Sequence, residues 1–138
     1  MHKNRIFVKL AGFLGALTVM IGAFGAHYLK QYLTPDQMLT YQTAVSYQFY
    51  HILALLATGI LYKRYRTQSM NRSGQFFIWG IVLFSGSLYA SIFLTVIGKG
   101  GLGMFAFVTP LGGLLLIIGW LLLVAGVPGS LLAPDEEE

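Results

Sequence analysis

Apolar residues run along this chain in four long stretches, about Ile6 to Tyr28, Pro35 to Tyr62, Gln75 to Ile97 and Met104 to Val127, with short polar segments between them. Each is long enough for the roughly 20 residues that a helix needs to cross a bilayer. The pattern predicts an all-α integral membrane protein: one domain over 1–138, with four transmembrane helices in an up-down bundle. Residues 128–138, ending in Pro134-Asp135-Glu136-Glu137-Glu138, read as a disordered acidic tail.

The positions inside each stretch say which side meets protein. In the first, Gly12, Gly15, Ala16, Val19, Gly22, Ala23, Ala26 and His27 project to one broad side and Leu10, Leu14, Leu17, Ile21 and Phe24 to the other. Small side chains let helix backbones approach closely in lipid, so this helix is expected at the centre of the bundle. The second stretch opens on Thr34-Pro35-Asp36-Gln37, a capping box with proline at the first helical position and an acid at the positive dipole end. Along it, Thr40, Ala44, Tyr47, Gln48, His51, Leu55 and Thr58 share one side, opposite Val45, Phe49, Leu53, Leu56 and Ile60.

The third stretch carries serines on two faces. Ser87 and Ser91 lie with Gly80 and Phe84, while Ser85 and Tyr89 point about 160° away at helical spacing, so two neighbours are expected. In the fourth, Thr109-Pro110 marks the first turns, and Gly112, Gly119 and Gly126 recur every seven residues, the period of a left-handed packing seam.

Composition and charge sharpen this picture. With 56% hydrophobic and 10% charged residues, the chain is far from a soluble mixture, and little length is left for a soluble catalytic domain. The net charge of +4 is not gathered into a basic face with interleaved aromatics, so no nucleic-acid partner is expected. Lys3, Arg5, Lys9, Lys63, Arg64, Arg66 and Arg72 flank one set of helix ends, and only Lys30 and Lys99 the other. Under the positive-inside rule both termini are expected in the cytoplasm, with Lys63 to Arg72 as a polar cytoplasmic connection that also suits anionic lipid heads. The first stretch starts like a signal peptide, but its apolar run exceeds the usual about 7–15 residues, so it is read as a retained span. The chain has no cysteine, which removes disulfides, thiolate metal sites and thiol catalysis.

Four motifs then stand in a fixed order: Gly22-Ala23-Phe24-Gly25-Ala26-His27, Tyr47-Gln48-Phe49-Tyr50-His51, Phe84-Ser85-Gly86-Ser87-Leu88-Tyr89 and Pro110-Leu111-Gly112-Gly113. In these the chain resembles the small four-span bacterial family filed as domain of unknown function 423, related to the animal transmembrane protein 256. The likeness covers about residues 6–127. It implies a multi-pass inner (plasma) membrane protein of uncharacterised activity. Relatives often carry glycine after the first motif's histidine, where this chain has Tyr28.

The chemistry-bearing residues are few. Tyr47, Gln48, His51 and Ser87 form the candidate intramembrane polar cluster, with His27 and Tyr89 as secondary candidates. Buried amides and imidazoles in lipid need partners, and helical rise puts Gln48 level with Ser87, so a register-fixing network joining Tyr47, Gln48 and His51 to Ser87 is expected. The alternative keeps His51 as a titrating or ligand-binding group. Two histidines on two helices suit a haem, but His27 and His51 differ in height by about 9 Å on helical rise, which argues against a shared ligand. His2 is terminal. No span holds a carboxylate, and no phosphate loop, dinucleotide fingerprint or metalloprotease motif occurs. No catalytic residue, metal site or cofactor is therefore predicted.

Two functions follow. One is a non-enzymatic accessory, assembly or scaffold protein, working as a homo-oligomer or in a larger membrane complex, with membrane lipids as its other partners. The other is a small-solute, lipid or proton pathway lined by the polar face of the second helix, with a haem-binding subunit as a lesser alternative.

Overall fold

The computed structural model describes residues 3–100 and 102–129. They form four helices: α1 Lys3–His27, α2 Pro35–Tyr65, α3 Gln68–Val96 and α4 Val108–Gly126, with 3-10 turns at Leu29–Gln31 and Leu102–Phe105. All four are long and apolar enough to cross a membrane. His2 and the tail from residue 130 lie outside the described residues.

Helix ends follow the local chemistry. Thr34 caps α2: its hydroxyl accepts from the Gln37 N–H at 3.3 Å, and the Gln37 side chain accepts from the Thr34 N–H at 2.9 Å. α3 ends in a Schellman motif. The Gly98 N–H reaches Thr95 O and the Lys99 N–H reaches Leu94 O, with Gly98 at φ 71° supplying the left-handed residue this motif requires.

The polar connection expected over Lys63 to Arg72 is far shorter. α2 runs on to Tyr65 and α3 starts at Gln68, leaving Arg66 and Thr67 between them. Arg66 takes the left-handed conformation at φ 52° and closes α2, and the Thr67 hydroxyl accepts from the Met70 N–H at 3.3 Å to start α3. Apolar content alone placed the third span at 75, because the turn between helices is made by one capping threonine and not by a stretch of polar loop.

Packing is sequential, α1 on α2, α2 on α3, and α3 on α4 in the most extensive interface. α1 and α4 share no extended interface. The expectation that α1 sits centrally is thus corrected: α1 lies at one edge, with Phe7, Ala11, Thr18 and Gly25 buried and most of its surface free. α3 is the centre. The α4 glycines lie against it, since a Cβ at Gly112 would run into the Leu83–Phe84 backbone and one at Gly119 would come within 2.8 Å of the Phe77 ring. Gly80 returns the arrangement toward Leu116. Phe7 ties α1 into the core, its ring against Gly74 of α3 and its Cβ, with Val8, against Gly59 of α2.

Candidate functional site

Each helix brings few hydrogen-bonding side chains, and the fold commits Tyr41, Gln48, Thr67, Ser73, Ser85 and Ser87 to contacts between helices. Gln48 is 4% exposed, and its amide donates to Thr18 Oγ1 on α1 at 2.7 Å. Thr18 in turn donates to its own helix at Leu14 O, also 2.7 Å. Nearer the end of α2 that follows Thr34, the Tyr41 hydroxyl donates to Ile21 O at 2.6 Å, and Gly25 provides the space for its ring. Thr18 did not stand out in the sequence, although it is the only hydroxyl side chain in α1.

The two serine faces of α3 do find two neighbours. Ser85 donates to Ala44 O of α2 at 2.8 Å, and Ser87 pairs with Thr109 Oγ1 of α4 at 2.7 Å. At the other end of the α3–α4 seam, Ser73 donates to Gly119 O at 2.8 Å and Thr67 to Gly126 O at 3.1 Å. Tyr89 sits beside Tyr41, ring centroids 5.6 Å apart, with its buried hydroxyl unpaired among the described residues.

The expected network from Gln48 and His51 to Ser87 is therefore corrected. Gln48 turns to α1 and Ser87 to α4, on opposite flanks of the α2–α3 pair. Equal height does not place two side chains on facing surfaces. Tyr47 is not enclosed either: it is 42% exposed and stacks on Phe84 at 4.7 Å.

His51 stands apart. It is 8% exposed, and Nδ1 lies 2.6 Å from the Tyr47 carbonyl oxygen one turn back. Rings of three helices surround it: Tyr47 at 5.8 Å, Phe77 of α3 at 6.1 Å and Trp120 of α4 at 6.2 Å. His27 is exposed at the end of α1. The register set by Ile21–Tyr41 and Thr18–Gln48 levels it with the first turns of α2, roughly 20 Å along the helix from His51. One haem or metal ion does not bridge that separation. Among the described residues no group of three His, Cys, Asp or Glu side chains gathers as a metal site.

Comparison with known proteins agrees with this architecture. The profile of the protein family of unknown function DUF423 matches residues 21–113. The UPF0382 membrane protein SSP2132 of Staphylococcus saprophyticus is 39% identical over 124 residues, covering 88% of this chain and 96% of the relative. The UPF0382 inner membrane protein YgdD of Escherichia coli K12 is 37% identical over 123 residues, 89% of each chain. No solved structure matches. Four helices long enough to span, the profile match and identity along most of the length agree: the chain belongs to the DUF423 family of multi-pass membrane proteins.

Proposed function

We propose that this protein is a non-enzymatic assembly partner or scaffold of the inner membrane, and that α1 is the helix that docks on another transmembrane helix. The observation that carries the reading is the free face of α1. Gly12, Ala16, Val19, Ala23 and Ala26 follow alternating steps of four and three, the heptad spacing of a left-handed helix pair. A Cβ at Gly12 would meet nothing within 4 Å, and Val19 is 65% exposed. The corresponding seam of α4 is fully used inside the fold, against α3.

Beside the stripe, α1 and α2 frame a half-open groove of about 130 Å³ that includes Gly22, Ala26, Val45, Gln42 and Ser46. Gln42 and Ser46 offer hydrogen-bonding groups there to an incoming helix. In lipid, where water exclusion does not drive helix pairing, close backbone approach and such bonds do. A non-enzymatic role is supported by the fate of the polar groups, since Ser73, Ser85 and Ser87 each bond across a helix interface. Asp36, the one carboxylate among the described residues, lies in the first turn of α2, where it favours the helix dipole.

The name of the Escherichia coli relative supports an inner-membrane location, and the clustering of Arg5, Lys9, Lys63, Arg64, Arg66 and Arg72 at one end supports cytoplasmic termini.

Cysteine cross-linking decides the docking reading, on a chain with no cysteine of its own. With Ala16→Cys at native expression, oxidation traps a homodimer, a benzophenone maleimide attached to the same thiol photo-cross-links another membrane subunit, and Gly12→Leu reduces either product. A chain that stays monomeric and uncross-linked through mild solubilisation overturns it.

A further inference from the structure

His51 is more than nine-tenths buried, yet the protein uses only one of its ring nitrogens. A carbonyl oxygen accepts and never donates, so at 2.6 Å from Tyr47 O the proton belongs on Nδ1. In the neutral ring Nε2 then presents a lone pair. The two nitrogens of an imidazole point in diverging directions, so Nε2 faces away from that carbonyl. Among the described residues the Tyr47 bond is the one hydrogen bond of the ring, and Nε2, unlike Asn71 Oδ1 and Tyr89 OH, is not among the fully enclosed unpaired atoms. An unpaired acceptor inside a span is costly, and a donor arriving from the bilayer relieves that cost.

The surroundings restrict what that donor is. His51 lies about 24 Å along α2 from Pro35 and about 21 Å from Tyr65, at mid-span and far from the Lys and Arg at the helix ends. No cation stands there to hold an anion. One imidazole nitrogen does not make a cage for a metal ion. What the position does offer is aromatic surface. Phe77 is fully buried and meets Trp120 edge to face at 5.4 Å, forming a floor. Trp120 and Tyr47, 45% and 42% exposed, flank the imidazole from α4 and α2 and keep ring surface open toward lipid. Flat rings recognise flat rings by stacking and edge contacts.

The geometry points to an intramembrane binding site for a quinol-class lipophile, a flat hydroxylated ring that donates its O–H to His51 Nε2 and packs against Trp120 and Tyr47. The oxidised quinone carries only acceptors, so the site distinguishes the reduced from the oxidised form by the direction of one hydrogen bond. The proposal is one of binding, with no electron or proton transfer assigned. It is independent of the docking face on α1, which lies on the other flank of α2.

Fluorescence tests it on the full chain in nanodiscs. Trp79→Phe leaves Trp120 as the only tryptophan of the two. The probes are 2,3-dimethyl-1,4-naphthohydroquinone under anaerobic conditions and its O,O-dimethyl ether, a ring of similar shape without the donor. Saturable quenching of Trp120 by the hydroquinone is expected, with the ether bound at least about tenfold more weakly, the scale of one buried hydrogen bond. His51→Leu should abolish that preference. His51→Gln, which keeps an acceptor, should retain part of it. Quenching that grows without saturation and equally for both probes overturns the site. So does a preference that survives intact in His51→Leu. The comparison of the two probes on the histidine-bearing chain is decisive by itself if a His51 substitution fails to fold.

Discussion

Gln48 shows how a polar residue behaves when lipid is the solvent. Its position on α2 announces a need for a partner, because an unpaired amide in hydrocarbon costs several kcal/mol. The partner is Thr18, which already spends its proton on Leu14 O, so Thr18 Oγ1 is free to accept. In a double-mutant cycle with Gln48→Leu and Thr18→Val, the two sites should couple by about 0.6 kcal/mol, the average for interhelical bonds in membranes, and by no more than about 1.7 kcal/mol. Steric-trapping measurements of unfolding in bicelles read that coupling. Additive losses would mean that the bond adds nothing to α1–α2 cohesion. That Gln48 is buried was legible from helical projection. That Thr18 and not Ser87 receives its proton was not, because helical rise gives height but not direction around a neighbouring axis.

Between elements, the α3–α4 seam combines close glycine contact with hydroxyl bonds. Gly112 lies where a methyl would strike the backbone of Leu83 and Phe84, which has no rotamer to yield. Gly86, in the same membrane region of α3, would meet nothing within 4 Å. Gly112→Ala should therefore destabilise by about 1–3 kcal/mol through overpacking, whereas Gly86→Ala should be neutral or stabilise by up to about 1 kcal/mol through helix propensity. Unfolding monitored in mixed micelles separates the two, and equal effects would refute the seam. The seven-residue glycine period made the existence of this seam legible. Its partner was not, and the same logic misplaced α1, whose small side was read as central although α1 lies at the edge.

At the scale of the whole molecule, the row of helices leaves two unequal flanks. Beyond α2 lies the free α1 face, and between α2 and α4 lie His51 and its rings. The cytoplasmic termini proposed from the charged ends make a testable prediction. Arg66→Cys should label with a membrane-impermeant maleimide only after the cytoplasmic side is opened, and Lys99→Cys should label in intact cells. The reverse pattern would invert the topology. The order of the helices along the chain, their number, the Thr34 capping box and the two-sided polarity of α3 were determined by the sequence alone. They rest on local rules: hydropathy over a span, side-chain spacing along a helix, and caps within one turn. The tertiary structure decided which helix is central, which hydroxyl meets which carbonyl, and that the His51 ring is left among aromatic rings. Those depend on the rotation of each helix about its own axis. In lipid that rotation is selected by close backbone approach among many small-residue faces, so no single helix specifies it.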